Sequence, residues 1–510
     1  MKSSNRTKAY QALVLTLTFL SYMTYHMSRK AISVVKTTWY PSDCVWPGKN
    51  DTQPTCGGSP PTAACHPWMP FDSETKLGDL DFVFLLGYAF AMFVSGHIGD
   101  RFNLRYFLFG GMMLSGIFTG LLGFAYFFKI HNFAFFVVIQ LFGGIVQSTG
   151  WPSVVAVMAN WFGVGNRGFI LGLWNSHTSV GNIIGAIIPG IWVHSAWGWS
   201  FIVPGIIIAS MGVVVLLFLA VDPADVGCPS PEQQHTAATT EPAGPVTHSS
   251  INAESEKKSL LPVTRHGQSY EHSVDLAAAT TTTTTVKTPS AVGFVAALRI
   301  PGVLEYSLCL FFSKFMNYIF LYWMPKYVRD VCVDGHSLSK EHSAFYSSLF
   351  DVGGIIGGAA LGYISDRTGA SAVPSVVMLL LGIPSLHIFN AYGSHSLSAL
   401  LGLMALTGAL LNGPYSLITT AVAADLGTHE VLSESQKAKA TVAAIIDGTG
   451  SIGAAIGPFV VGVALQDEAN PWPVVINICM GASLLSTLFL VRVCMKELTC
   501  LRGLCTSSAR

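Results

Sequence analysis

Three cations stand inside long apolar runs of this sequence. Arg29 and Lys30 lie in a run that opens near Tyr10, and Lys314 lies about eleven residues into a later one, near its middle. A charge at the centre of a hydrocarbon layer is unfavourable by about 2.5–3.5 kcal/mol on insertion scales, so such residues face a cavity or a partner and mark a functional site. Two cations brought together suit a dianion. A phosphate monoester carries about −1.5 to −2 charges at pH 7 and three acceptor oxygens; arginine grips it bidentately and lysine as a point charge. His177 suits a substrate hydrogen bond or a proton-linked switch, with a satisfied buried imidazole as the other reading. Asn175 and Asn317 suit sugar hydroxyls or helix packing, and Thr178 follows His177 directly. Asp447 and Asp351 can neutralise a cation or bond between helices, while Tyr25 and Tyr318 are candidates to line a cavity. The sequence predicts no cofactor and no metal site. It holds no Walker A, H-E-x-x-H or G-x-S-x-G pattern, which argues against an enzyme or a primary pump.

The elements that must position these residues follow from composition. Of 510 residues 51% are apolar and only 11% charged, with 28 basic against 28 acidic; an average soluble protein carries about 25% charge. No basic surface points to nucleic acid. A window of about 19 residues finds twelve apolar stretches, each able to cross a hydrocarbon core as helix. They fall near 10–38, 80–99, 105–127, 133–158, 168–193 and 199–221, then 303–325, 344–364, 372–391, 396–424, 439–465 and 472–493. This predicts an all-α polytopic membrane protein, in contact with lipid. The first run follows Lys2, Arg6 and Lys8 as a signal peptide would, but no small-residue cleavage site ends it, so it is read as a span.

Between the halves, residues 222–292 turn to Pro, Ser, Thr and Glu, the texture of a disordered linker. This divides the chain into an N-terminal half at 1–221, the linker, a C-terminal half at 293–495 and a tail at 496–510. Arg101, Arg105, Arg167, Arg367 and Lys496 share the side of the linker and both termini, which the positive-inside rule makes cytosolic. Arg29 and Lys30 lie toward the other side, against that trend. There the 39–78 loop carries the sequon at Asn50 and Cys44, Cys56 and Cys65, joined by Cys332 in the next loop on that side. A sequon and four cysteines fit an oxidising lumen or exterior; their pairing stays open among three connectivities. A second sequon at Asn5 is on the cytosolic side and should stay unmodified.

The halves repeat one another. Gly96-His97-Ile98-Gly99-Asp100-Arg101 returns as Gly362-Tyr363-Ile364-Ser365-Asp366-Arg367, 266 residues on. Gly-Trp-Pro-Ser at 150–153 returns at 413–416 as Gly-Pro-Tyr-Ser, and Ser179-Val180-Gly181 with Gly185 returns as Ser451-Ile452-Gly453 with Gly457. The Gly is expected to let helices approach, and the Asp-Arg to pair or cap across neighbouring helix ends. Two six-helix halves with this turn after the second helix of each resemble the major facilitator superfamily. Tyr25-His26-Met27-Ser28-Arg29-Lys30, Trp151-Pro152-Ser153, Trp174-Asn175-Ser176-His177-Thr178, Asp351-Val352-Gly353-Gly354 and Asp447-Gly448-Thr449-Gly450 resemble solute carrier family 37, the sugar-phosphate exchangers among the organophosphate:phosphate antiporters.

That resemblance implies alternating-access exchange of a sugar phosphate, of glucose 6-phosphate type, for inorganic phosphate, with Arg29 as the phosphate-binding residue. It also implies a place in the endoplasmic reticulum membrane. This sequence departs from bacterial glycerol-3-phosphate relatives at three site positions. Asn317 stands where they have a second arginine, Thr178 where they have a histidine and Met92 where they have a lysine. A proton- or sodium-coupled symporter of another organic anion, using His177 or Asp447, is the alternative. Glu256 to Leu261 has the form of an acidic dileucine signal, which would send the protein to endosomes or lysosomes instead.

Overall fold

The computed structural model describes residues 2–41, 68, 70–99, 101–162, 173–229, 297–426, 437–467 and 471–501. Asn50, Cys44, Cys56, Cys65, Asp100 and the linker from residue 230 lie outside them. The first half contributes α1 (Lys2–Trp39), α2 (Glu74–Gly99), α3 (Leu104–Phe127), α4 (Phe133–Gln147) running into α5 (Gly150–Trp161), α6 (His177–Gly190) and α7 (Trp199–Phe218). The second contributes α8 (Val303–Asp330), α9 (Lys340–Ser347) running into α10 (Leu349–Thr368), α11 (Ala372–Tyr392), α12 (Leu397–Leu417), α13 (Ala423–Leu426), α14 (Lys437–Asp467) and α15 (Trp472–Leu501). A π turn over Ile418–Val422 joins α12 to α13. Counted as spans, with α4–α5, α9–α10 and α12–α13 each taken as one, these make two sets of six.

Nine spans among the described residues are long and apolar enough to cross a membrane. The other three are α6, described only in part, and α1 and α8, which carry the charges. Those two need no lipid-facing stripe, because every residue from Thr24 to Thr37 and from Ser313 to Val328 is buried. They are the centre of the bundle.

The repeat appears as packing. A Cβ on Gly181 or Gly185 of α6 would lie 2.4 Å from Met23 O and 2.6 Å from Met27 O of α1. One on Gly453 or Gly457 of α14 would lie 2.1 Å from Phe311 O and 2.5 Å from Phe315 O of α8. In both halves the fifth helix therefore rides on the backbone of the first, as small-residue faces permit in a membrane. Gly96 and Gly362 correct the expectation for the repeated turn pattern: a Cβ on either meets nothing within 4 Å. Close approach on α10 belongs instead to Gly353 and Gly357, whose Cβ positions fall 1.9 and 2.0 Å from Ala405 O and Ala409 O. Of the expected Asp-Arg pairing, Asp100 lies outside the described residues. Arg101, Asp366 and Arg367 are exposed, and Arg367 lies over the Tyr363 ring at 5.2 Å. Capping across helix ends falls to Glu497, whose carboxylate accepts from the backbone N–H groups of Ser371, Ala372 and Val373 at 2.9–3.1 Å. An acid at the N-terminus of α11 meets the positive end of its dipole.

The halves meet along α2 and α14, α1 and α8, and α6 and α9–α10. At the end of the 39–78 loop, Thr75 Oγ1 donates to Gln466 Oε1 at 2.6 Å, and a Cβ on Gly78 would lie 3.2 Å from the Gly462 Cα.

Candidate functional site

Arg29 projects from the enclosed middle of α1 and is only 4% exposed. Its Nε donates to Gln147 Oε1 at 2.6 Å, and Gln147 Nε2 donates in turn to Ser28 Oγ at 3.1 Å. The guanidinium stacks 4.4 Å from the centroid of Tyr88, whose hydroxyl meets that of Tyr22 at 3.2 Å. These contacts fix the plane of the group, while Nη2 has no hydrogen-bond partner among the described residues. Ser28, Arg29, Gln147 and Tyr322 all line one cavity.

Lys314 sits across from it on α8. Its Nζ lies 2.7 Å from Asp447 Oδ1 and 3.3 Å from Ser451 Oγ, with both charged side chains buried. Tyr88 and Tyr318 lie within electrostatic reach of Arg29 and Lys314 alike, which places both cations in the same aromatic region of the bundle. They are not symmetry mates. Met23 and Met27 correspond to Phe311 and Phe315, both 288 residues on; the same register sets Arg29 against Asn317 and His26 against Lys314. The repeats supply one cation each, from different positions.

Two further interior lysines are, like Lys314, paired with an acid. Lys36 is paired with Asp81, both at 0% exposure, and its Nζ lies 4.0 Å from the Trp323 ring of the other half. Lys326 pairs with Asp330 at 2.9 Å. Lys30 donates to Leu321 O of α8 at 2.6 Å and faces Asp351. Asp351 Oδ1 accepts from Asn182 Nδ2 at 2.8 Å, and Asn182 Oδ1 lies 3.3 Å from His26 Nδ1, so a polar chain crosses between the halves. Among the described residues neither Arg29 nor Lys30 has a carboxylate within ion-pair distance; Lys30 is taken up by a backbone carbonyl, and Arg29 by an amide and an aromatic ring.

The remaining sequence candidates divide. Asn175 Nδ2 donates across the halves to Ser416 Oγ at 2.7 Å. Tyr318 belongs to the chamber. Asn317 Nδ2 donates to Ser313 O and Leu411 O inside the C-terminal half, while its Oδ1 has no hydrogen-bond partner among the described residues. Tyr25 is turned into the N-terminal half, with its hydroxyl 3.5 Å from Thr149 Oγ1 and its ring against Gly150. His177 is fully buried among Phe19, Tyr22, Trp151 and Trp174, and its Nδ1 meets Thr178 Oγ1 at 3.2 Å. Its Nε2 has no hydrogen-bond partner among the described residues, so the imidazole is buried but not satisfied. Gln147, Tyr88 and the Lys36–Asp81 pair escaped sequence reading; a lysine and an aspartate near the same ends of adjacent spans were the available signal.

A central bundle of this kind, with a charged chamber between two six-helix repeats, defines a secondary transporter. The family model of the Major Facilitator Superfamily matches residues 18–433, and the chain belongs to that superfamily. Within it the chain belongs to solute carrier family 37. It is 45% identical to the glucose-6-phosphate exchanger SLC37A2 of Mus musculus, covering 100% of this chain and 97% of that one. It is 46% identical to the Homo sapiens protein of that name, over 98% and 94%. A putative glycerol-3-phosphate transporter 1 of Arabidopsis thaliana is 44% identical over 96% and 88%. The fold is similar to a bacterial homolog of the human lysosomal transporter Spinster in an inward-facing, unoccupied conformation. The TM-score is 0.57 at 15% identity, over 97% of this chain and 98% of that one.

Proposed function

We propose that this protein exchanges a sugar phosphate for inorganic phosphate by alternating access, with the phosphoryl group held at Arg29 and Lys314. The exchanger names of the relatives support the chemistry. The observation that carries the site is Arg29: a buried guanidinium, oriented by Gln147 and Tyr88, with an unpartnered Nη2 and no carboxylate beside it. A cation held that way calls for an anion, and its planar fork suits phosphate oxygens. Lys314 is held by Asp447, and phosphate takes that lysine by competing with the carboxylate. Exchange follows, because a chamber with an uncompensated Arg29 is reluctant to reorient and a phosphate of either kind relieves it. The protein is a transporter and not an enzyme.

The assignment of Lys30, Asn175, Thr178 and Tyr318 to substrate contacts belongs to this proposal, as do the halves at 1–221 and 293–495. So do both termini on the cytosolic face and the endoplasmic reticulum as location. To test the exchange, proteoliposomes are loaded with phosphate and uptake of labelled glucose 6-phosphate is followed. Uptake requires internal phosphate and falls to background in Arg29→Ala; uptake that persists in that variant removes Arg29 from the role, and uptake driven by a proton or sodium gradient without phosphate replaces exchange with symport.

A further inference from the structure

Beside the charged chamber lies a second crevice, formed where the halves meet. Asn175, Thr178 and Ser179 line it from the fifth span, and Asn412, Tyr415 and Ser416 from α12. It begins where the cation site ends, because Lys314 Nζ lies 5.9 Å from the ring centroid of Tyr415, which forms its wall. Its chemistry is different. Asp447 and Ser451 hold Lys314, and the positions in the same register of the first repeat, 272 residues earlier like Gly181 before Gly453, are Asn175 and Ser179. The repeat thus offers one acidic version of this pair, occupied by a lysine, and one neutral version facing the crevice.

Hydrogen-bonding capacity is left over there. Asn412 and Ser179 are each nine-tenths buried and make no side-chain hydrogen bond among the described residues. Both side chains line the crevice, and a carboxamide and a hydroxyl without protein partners match the donors and acceptors of a neutral polyol. The Asn175–Ser416 bond crosses from one half to the other. Two glycines of α10 leave the space: a Cβ on Gly354 would fall 2.4 Å from Asn412 Nδ2, and one on Gly358 3.3 Å from Ser416 Oγ. Their absent side chains keep the amide and the hydroxyl accessible.

We propose that this crevice is the subsite for the polyhydroxyl part of the substrate, and that substrate hydroxyls bond to Asn412, Ser179 and Ser416, taking the place of the Asn175–Ser416 contact. The inference rests on the reading above, in which Arg29 and Lys314 hold the phosphoryl group. It makes selectivity among phosphorylated substrates a property of the second crevice, and affinity for phosphate a property of the first chamber.

The experiment compares KM values of inorganic phosphate, glycerol 3-phosphate and glucose 6-phosphate in phosphate-loaded proteoliposomes, for the unaltered protein, Asn412→Ala and Ser416→Ala. Each variant should raise KM for glucose 6-phosphate relative to that for phosphate by roughly three- to tenfold, the scale of one neutral hydrogen bond. Glycerol 3-phosphate, with fewer hydroxyls, should show a smaller ratio. Gly354→Ala, which pushes a methyl against the Asn412 amide, should move the ratio the same way. A ratio unchanged in all three variants, or one that shifts equally for both organic phosphates, overturns the subsite. Should the unaltered protein exchange no phosphate at all, the reading of the chamber has failed instead, and that outcome is distinct.

Discussion

At the scale of single residues, the site is a contest between a substrate and its own carboxylates. Lys314 and Asp447 form a buried pair at 2.7 Å. Removing one partner of such a pair is unfavourable by about 3–5 kcal/mol because the other is left charged in a dry place, whereas replacing both by apolar groups is often neutral. Lys314→Met alone should therefore lower the thermal unfolding midpoint of the purified protein and its yield. Lys314→Met combined with Asp447→Leu should restore both and still fail to take up phosphate. If the double variant transports normally, Lys314 is structural and the phosphate rests on Arg29 alone. The sequence made both residues visible, since a charge inside an apolar run has few explanations. It could not make Gln147 or Tyr88 visible: a neutral polar or aromatic side chain is ordinary in a span, and only folding brings Gln147 beside Arg29, 118 positions away.

At the scale of elements, the two enclosed helices explain which parts of the fold could be read in advance. Ten of the twelve spans face lipid or neighbours in the usual way, and hydropathy locates them. Helices α1 and α8 are surrounded by protein, so they tolerate Arg29, Lys30, Lys36, Lys314 and Lys326, while their apolar runs stay long enough for a hydropathy window to find them. The repeat in sequence misled where it was most conspicuous. Gly96 and Gly362 recur in the Asp-Arg turns, yet neither faces a helix, while Gly185 and Gly457 each press on the carbonyl of a central helix. Overpacking of such a seat is unfavourable by about 1–3 kcal/mol. Gly185→Val and Gly457→Val should each lower the unfolding midpoint and depress transport together. Gly362→Ala adds a methyl that meets nothing within 4 Å and removes a glycine from a helix interior, so it should leave transport intact and raise stability by up to about 1 kcal/mol. Equal effects at all three glycines would mean that the open face of Gly362 is filled in the membrane.

At the scale of the whole molecule, alternating access requires one seam between the halves to part while the other holds. At the end of the 39–78 loop the seam is built from Thr75 against Gln466, from the close approach of Gly78 and Gly462, and from Lys36 set on Trp323 across the halves. Opening there must take Lys36 off the indole, and it exposes the Lys36–Asp81 pair to water. A buried ion pair gains little net stability from its own attraction and much from solvation when opened, so it suits an end that has to close dry and open wet. A seam that parts can be pinned. With Thr75→Cys and Gln466→Cys introduced together, a short bifunctional thiol reagent should link α2 to α14 and reduce phosphate exchange to background. A reducible version of the reagent should allow recovery on reduction. Each single cysteine variant should transport normally with the same reagent. Exchange that continues at full rate through the linked protein would show that this seam stays shut throughout the cycle, and the rocking of one six-helix half against the other would have to be placed elsewhere.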